Sequence, residues 1–205
     1  MTTLLRIDSS SRTVGSHSSR LADFAEEKWQ ALNPNGRVTR RHLARDPIPI
    51  LSQDTITGFY TPAEALTDGL RKATALSDRL ILELQEAETL LLAVPIYNFS
   101  VPAALKAWID QITRIGHTFS FTDGAFAGLV KTRRAIVICA YGANGYLPGE
   151  AFEQANYLEP YLRFLLSFLG IEKIEVITVQ ETTGTDEKLA ANMVRAEADI
   201  KAAFA

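Results

Sequence analysis

Residues 89–112 read TLLLAVPIYNFSVPAALKAWIDQI, and the succession of segments within this stretch predicts the fold. The part 89–97 is a continuous apolar run, as expected of a strand that is covered on both faces of a sheet. Pro102 suits the first turn of a helix, and Leu105 and Ile112 then lie on one face of that helix. A buried strand that leads into an amphipathic helix is typical of a parallel sheet flanked by helices.

The same strand–helix unit recurs along the chain. Further strands are expected at 3–7, 37–43, 134–140 and 173–179, and helices at 17–32, 62–87, 152–170 and from 186 onward. Residues 117–132 have no helical period and are expected to form a glycine- and phenylalanine-bearing excursion. Five alternating units predict a flavodoxin-like, doubly wound, five-stranded parallel sheet in a three-layer sandwich. Without an internal repeat or linker, residues 1–205 are expected to form a single domain.

Composition and charge exclude several classes of function. The chain has 205 residues and a formal net charge of −3, so no basic surface for nucleic acid or anionic lipid is expected. Cys139 is the only cysteine, which excludes an internal disulfide and a multi-cysteine metal site. No apolar run approaches the roughly 18 residues of a membrane span. We therefore expect a cytoplasmic protein without a metal site, a membrane span or a nucleic-acid partner.

Three loops follow predicted strands and contain the least ordinary sequences of the chain. They cover residues 8–18, 95–100 and 140–147. In a doubly wound sheet, ligands bind beyond the carboxyl ends of the strands, near the point where the strand order reverses. We therefore expect these three loops to meet at one ligand site.

The first loop, DSSSRTVGSHSS, precedes a helix, so free backbone N–H groups face any ligand there. Ser10, Ser16 and Ser18 add hydroxyl donors, and Gly15 lets the backbone approach closely. The expected ligand is a phosphate monoester, although the loop has neither the Walker nor the G-x-G-x-x-G spacing. The alternative is a serine-rich helix cap. His17 is expected to face solvent rather than to act as a base.

The other two loops carry aromatic residues and glycines. Tyr97, Asn98 and Phe99 offer a flat wall and an amide, which suits the edge of a planar heteroaromatic ring. Gly142 permits close backbone approach in the fourth-strand loop, and Tyr141 offers a ring or a hydroxyl. Plain core packing of the aromatic residues and a mobile surface loop are the alternatives. Together with the phosphate loop, these features predict a site for a phosphorylated flat ring, and FMN fits.

Three segments resemble a known family. SSSRTVGSHSS, PIYNFSVPAALKAWID and GHTFSFTDGAFAGLV are similar to the FMN-dependent NADH azoreductases, also described as NADH:quinone oxidoreductases. The similarity runs nearly end to end. It implies a flavodoxin-like homodimer with one FMN per subunit, each site lying near the subunit interface.

The resemblance also implies roles for individual residues. The phosphate and ribityl contacts match Ser10, Ser16, His17 and Ser18. The ring contacts match Ile96, Tyr97, Asn98 and Phe99, together with Tyr141, Gly142 and Ala143. Positions that line the substrate pocket from the partner subunit match Phe121 and Phe168. No residue is expected to act as a catalytic acid or base, because FMN carries the chemistry.

The activity that the resemblance implies is two-electron reduction of quinones and azo compounds. NADH or NADPH would give hydride to FMN and leave before the acceptor binds, in a ping-pong order. The family often has Ser-Arg-Gly-Gly where this chain has Ala140 to Ala143, so the acceptor and the preferred dinucleotide stay open. The alternatives are an FMN reductase or nitroreductase, and a flavodoxin-type electron carrier. A hydrolase has no support, since no G-x-S-x-G motif is present.

Overall fold

The computed structural model describes residues 2–205. The strands are β1 (Thr3–Asp8), β2 (Arg37–His42), β3 (Thr89–Pro95), β4 (Phe119–Thr122), β5 (Ala125–Gly128), β6 (Arg134–Ala140) and β7 (Lys173–Val179). The helices are α1 (His17–Leu32), α2 (Gln53–Tyr60), α3 (Asp68–Glu86), α4 (Ala103–Ile112), α5 (Glu159–Phe168) and α6 (Asp186–Ala203). Five strands form one parallel sheet in the order β2-β1-β3-β6-β7, so the predicted doubly wound topology is confirmed.

The central strand β3 shows why the sheet lies between two layers of helices. Leu91 and Ala93 pack toward α1 and α6, whereas Leu90, Leu92 and Val94 pack toward α3, α4 and α5. All five side chains are buried, because alternate residues of a strand point to opposite faces. None of the described helices combines the length and hydropathy that a membrane crossing requires.

Two helices differ from the sequence prediction. The helix expected over 152–170 begins only at Glu159, with Pro160 in its first turn, where the missing N–H of proline breaks no helical hydrogen bond. The preceding residues form a single 3₁₀ turn at Glu153–Ala155 and a loop. Helix α2 was not predicted, because its eight residues carry no apolar stripe long enough to read as a period.

The excursion at 117–132 contains an antiparallel hairpin of β4 and β5. Asp123 and Gly124 link the two strands with φ angles of 55° and 80°, the signature of a type I′ turn. The hairpin lies against the end of α5, where the backbones of Gly128 and Gly170 meet. A Cβ on Gly128 would lie 2.2 Å from the backbone nitrogen of Gly170, so only glycine permits this approach.

Candidate functional site

The carboxyl ends of β1, β3, β6 and β7 surround a cavity of about 160 Å³, hereafter the inner cavity. It brings together residues that are far apart in the sequence. Its wall is formed by Ser10, Arg12, Gly15, Ser16, His17, Ser18, Pro95, Ile96, Tyr97, Ala140, Gly142, Thr182 and Thr183. The three loops singled out in the sequence therefore do meet at one place.

The start of α1 offers the cavity unused hydrogen-bond donors. Ser16 caps the helix, and its Oγ accepts from the N–H of Ser19 at 3.3 Å. The N–H groups of His17 and Ser18 donate to no acceptor within residues 2–205. Ser18 is buried, with its Oγ 3.3 Å from that of Ser16. Free N–H groups and hydroxyls at a helix start suit a phosphate, so this loop fits the phosphate end of FMN.

The electrostatic field at this loop is positive. Burial lowers the pKa of His17, and the charges of Arg12 and Arg20 lower it further. A neighbouring positive charge disfavours the imidazolium and favours an anion at the same place. His17 lines the cavity, and the direction of its pKa shift gives a neutral ring at neutral pH.

Residues Tyr97 to Ser100 form a tight turn directly after β3. The N–H of Tyr97 donates to the Ser100 carbonyl at 2.9 Å, and the N–H of Ser100 donates back at 3.1 Å. Asn98 and Phe99 have φ angles of 47° and 74°, so this is a second type I′ turn. Their own N–H groups donate to no acceptor in the described chain. The turn therefore presents two free donors, which suit the carbonyl and nitrogen edge of a flavin ring.

Tyr97 links this turn to the phosphate loop. Its Oη accepts from the backbone N–H of Ser11 at 3.1 Å. Burial opposes ionisation of the phenol, but hydrogen bonds from Ser10 and Ser11 outweigh burial, and the pKa of Tyr97 lies below its ordinary value. The ring was predicted as part of a flat wall. It lines the cavity and, through its hydroxyl, also joins the two loops.

The fourth-strand loop contributes backbone rather than aromatic rings. Tyr141 is fully buried, its Oη accepts from Asn156 Nδ2 at 3.2 Å, and its ring stacks on Tyr146 at 5.3 Å. Burial raises the pKa of this phenol. The ring thus points into the core, while Gly142 lines the cavity and Ala143 does not.

Two threonines of the cavity wall were not singled out in the sequence. The hydroxyl of Thr182 donates to the carbonyl of Tyr141 at 3.0 Å, and that of Thr183 donates to the carbonyl of Gly142 at 2.9 Å. They hold the fourth-strand loop in place from the end of β7. The sequence signal was available, because this polar loop also follows a predicted strand. That strand is the fifth of the predicted sheet, and its end joins those of the first, third and fourth at the cavity.

A more open cavity of about 530 Å³ lies on the other side of the Tyr97–Ser100 turn. Its wall consists of Tyr97, Asn98, Ser100, Val101, Ala103, Lys106 and Tyr161. Tyr97 is common to both cavities, so the turn separates a polar space from a more apolar one. Phe99 lines neither cavity and leaves 53% of its surface exposed. Within residues 2–205, no cluster of three or more His, Cys, Asp or Glu side chains could hold a metal ion.

Phe121 and Phe168 lie in a separate aromatic cluster on the hairpin and α5. The ring centroid of Phe126 lies 4.6 Å from that of Phe121 and 5.5 Å from that of Phe168, and both pairs are tilted. Neither Phe121 nor Phe168 lines either of the two cavities described above. One chain by itself therefore does not bring these two residues to the site.

A family model described as a flavodoxin-like fold matches residues 2–203. The FMN-dependent NADH:quinone oxidoreductase of Xanthobacter autotrophicus is 50% identical over 176 residues, covering 86% of this chain and 85% of that protein. The protein of the same name from Hydrogenovibrio crunogenus is 34% identical and covers 98% of both chains.

Solved structures agree with the fold. An azoreductase from Bacillus anthracis superposes with a TM-score of 0.89 at 21% identity, covering 100% of this chain and 99% of the other. An FMN-dependent NADH-azoreductase of the same species, in complex with FMN, superposes with a TM-score of 0.87 at 24% identity, covering 100% of both. This chain therefore belongs to the family of flavodoxin-like fold that includes the FMN-dependent NADH:quinone oxidoreductases.

Proposed function

We propose that this chain binds FMN and transfers two electrons from NADH to quinones or azo compounds. One observation carries the proposal: free N–H donors at the start of α1 and in the turn after β3 lie at the same edge of the sheet, and both segments border the inner cavity, the turn through Tyr97. The first set suits a phosphate and the second suits a polar ring edge. The names of the similar proteins from Xanthobacter autotrophicus and Hydrogenovibrio crunogenus support the same cofactor and reaction.

The proposed contacts combine residues of the cavity wall with the roles that the resemblance implies for Asn98, Phe99, Tyr141 and Ala143, which do not line the inner cavity. Ser10, Ser16, Ser18 and the N–H of His17 would hold the phosphate and ribityl chain. The segment Ile96–Phe99 would meet the flavin ring through its turn. The fourth-strand loop would complete the ring site through the backbone of Tyr141, Gly142 and Ala143, since the Tyr141 side chain is buried in the core.

When bound, FMN supplies a hydride acceptor and a two-electron donor. The chain itself fixes the cofactor and turns N–H dipoles toward the ring edge, where negative charge is favoured by preorganised donors. No side chain in the cavity is assigned the role of a general acid or base. We propose a ping-pong order, in which the nicotinamide donor leaves before the acceptor occupies the same open side of the site.

We also propose a homodimer in which Phe121 and Phe168 line the substrate pocket of the partner subunit. Phe121, Phe126 and Phe164 support this because their rings are 51%, 62% and 70% exposed in one continuous aromatic cluster. An exposed apolar patch of this kind is typical of a protein–protein interface. Light scattering after size-exclusion chromatography should give twice the mass of one chain, and a monomer mass would contradict the dimer.

The function is tested by the visible spectrum of the purified protein. We expect a flavin spectrum that NADH bleaches under anaerobic conditions and that a benzoquinone then restores. Bleaching of the flavin by NADH when no second protein is present would distinguish the enzyme from an electron carrier. A colourless protein that does not bind added FMN would contradict the proposal. Repeating the titration with NADPH measures the dinucleotide preference that the sequence leaves open.

A further inference from the structure

A second cavity, hereafter the outer cavity, lies behind the phosphate loop. Its volume is about 760 Å³, and it shares Arg12, Gly15, Ser16 and His17 with the inner cavity. Its other walls come from α1, from the carboxyl end of β2 and from the loop that follows β2. None of the residues proposed to contact the flavin ring lines it.

The carboxylates of the outer cavity are largely committed to two of its arginines. The Arg6 guanidinium donates to Asp8 in a bidentate pair at 2.8 and 3.0 Å, and to Asp23 at 2.7 Å. Glu26 pairs with Arg40 and also contacts Arg6 at 3.3 Å. Three of the four carboxylates in the wall are thereby paired within the protein, although Arg6 and Arg40 together bring two positive charges to three negative ones.

The same wall has four more arginines, of which two have a carboxylate nearby and two do not. Arg41 pairs with Glu83, and Arg20 lies 3.8 Å from Glu197. The side chain of Arg12 makes no hydrogen bond or ion pair with any described residue. Arg45 donates only to the carbonyl of Thr13, at 3.3 Å, and has no carboxylate partner among residues 2–205. Two exposed guanidinium groups thus flank the outer face of the phosphate loop.

The wall also holds polar atoms that the protein leaves unsatisfied. Ser19 Oγ and His42 Nδ1 are buried and have no partner in the described chain. Asp46, the fourth carboxylate, makes no ion pair with the residues described. No aromatic or aliphatic patch lines the space, apart from stems of the polar residues. The wall therefore suits a small, strongly charged ligand rather than an apolar one.

We propose that the outer cavity binds a phosphate-bearing anion, held by Arg12 and Arg45. Guanidinium groups form paired N–H bonds with phosphate oxygens and stay charged at any physiological pH. The outer cavity shares Arg12, Gly15, Ser16 and His17 with the inner cavity, so the site would lie next to the FMN phosphate, and the proposal rests on the proposed function for its meaning. The phosphate belongs either to the dinucleotide donor or to a free anion, and the experiment separates these sources.

The test uses FMN-loaded protein and inorganic pyrophosphate, titrated by calorimetry at low ionic strength. Arg45→Gln removes the charge but keeps a donor for the Thr13 carbonyl, so we expect at least tenfold weaker binding. Arg45→Lys keeps the charge and should stay within about threefold of wild type. Arg37→Gln is the matched control, since Arg37 lies at the opposite end of β2 and does not line the cavity.

Two results would overturn the site: no binding to the FMN-loaded wild type, or equal binding by Arg45→Gln. Inhibition kinetics identify the source of the phosphate. Pyrophosphate that competes with NADPH or NADH, together with a higher donor KM in Arg45→Gln, assigns the phosphate to the donor. Binding without competition assigns it to a free anion. Flavin retention is read separately from the visible spectrum, so a colourless protein contradicts the FMN proposal and leaves the Arg45 comparison intact.

Discussion

Two turns in this molecule share positive φ angles at both central residues but differ in their sequence, above all at the second central position, which is glycine in one turn and phenylalanine in the other. In the turn between β4 and β5, Asp123 and Gly124 have φ angles of 55° and 80°. In the turn Tyr97–Ser100, Asn98 and Phe99 have φ angles of 47° and 74°. Glycine adopts positive φ freely, whereas a residue with a Cβ loses about 1–2 kcal/mol there.

The sequence of the turn between β4 and β5 is explained by its backbone conformation alone. The sequence of the turn Tyr97–Ser100 is not, because its phenylalanine is unfavourable in that conformation. Asp-Gly is the sequence that a type I′ turn favours, so the hairpin needs no further explanation. Phe99 is strained and leaves 53% of its surface exposed, so its ring is not buried enough to offset the strain through folding. Strain of this kind is concentrated at functional sites. We infer that the ring of Phe99 contacts a ligand.

The largest expected effect tests whether the phosphate loop, which Tyr97 joins to the strained turn, holds a bound cofactor. Ser18→Ala removes a buried hydroxyl from the phosphate loop. A hydrogen bond to a charged group contributes about 1.5–3 kcal/mol, so the Kd for FMN should rise roughly tenfold to a hundredfold. Flavin fluorescence titration measures this change. Ser11→Ala is the control, because Ser11 does not line the cavity. Equal effects of the two substitutions would remove this loop from the site.

The next prediction adds a Cβ at the second central position of one turn and removes the Cβ from that position in the other. Gly124→Ala adds a Cβ that meets no atom within 4 Å, so strain alone should lower the free energy of unfolding by about 1 kcal/mol. Phe99→Gly should be more stable than Phe99→Ala by a similar amount. Urea unfolding at a fixed excess of FMN measures both. If Phe99→Gly gains nothing over Phe99→Ala, the strain at this turn has been misjudged.

The same two Phe99 variants distinguish the effect of the missing ring on activity from the effect of backbone strain. Both variants lack the ring, whereas only Phe99→Gly relaxes the backbone. If the ring acts on the acceptor, KM for a benzoquinone should rise equally in both. Unequal KM values would show that turn geometry, rather than the ring, matters for the acceptor.

A smaller effect is expected from the hydrogen bond that joins the strained turn to the phosphate loop. Tyr97→Phe deletes the acceptor of the Ser11 N–H, and this exposed N–H can then bond to water. The expected loss is about 0.5–1 kcal/mol, or a two- to fivefold higher Kd for FMN. Tyr157→Phe is the control, since its hydroxyl makes no hydrogen bond within the described residues. A Kd that matches the control would mean that the two loops bind FMN independently.

The smallest effect concerns an aromatic ring outside both turns. Phe121→Ala should raise KM for the quinone about two- to threefold and leave FMN content unchanged, if Phe121 reaches the partner's substrate pocket. Phe164→Ala removes another exposed ring of the same cluster, so a general effect on dimerisation would appear in both variants. Loss of FMN in Phe121→Ala would place this residue at the cofactor instead.

Local patterns predicted the sheet and several helices closely. The helix expected over 17–32 is α1, and α6 begins at Asp186 as expected. The strand expected at 37–43 is β2, at the edge of the sheet. The hairpin was missed although Asp123–Gly124 is a strong turn signal, because strands of four residues are too short to show alternation.

Site prediction succeeded where backbone position matters and was incomplete where side-chain direction matters. Ser10, Ser16 to Ser18, Ile96, Tyr97 and Gly142 share one cavity wall. Tyr141, next in line, turns its ring into the core, since adjacent residues at a strand end face opposite sides. Thr183 is far from Gly142 in sequence and meets it only through the pairing of β6 and β7.

The sequence by itself determined the order of strands and helices, the buried central strands and the loops that carry polar and aromatic residues. These follow from hydrophobic periodicity and residue chemistry, which act over a few residues. Only the tertiary structure decided the strain at Phe99, the inward ring of Tyr141, the pairing of Arg6 and Arg40 in the outer cavity and the place of Thr182. Those features depend on strand register and on contacts between residues that are far apart in the sequence, and no local pattern encodes such contacts.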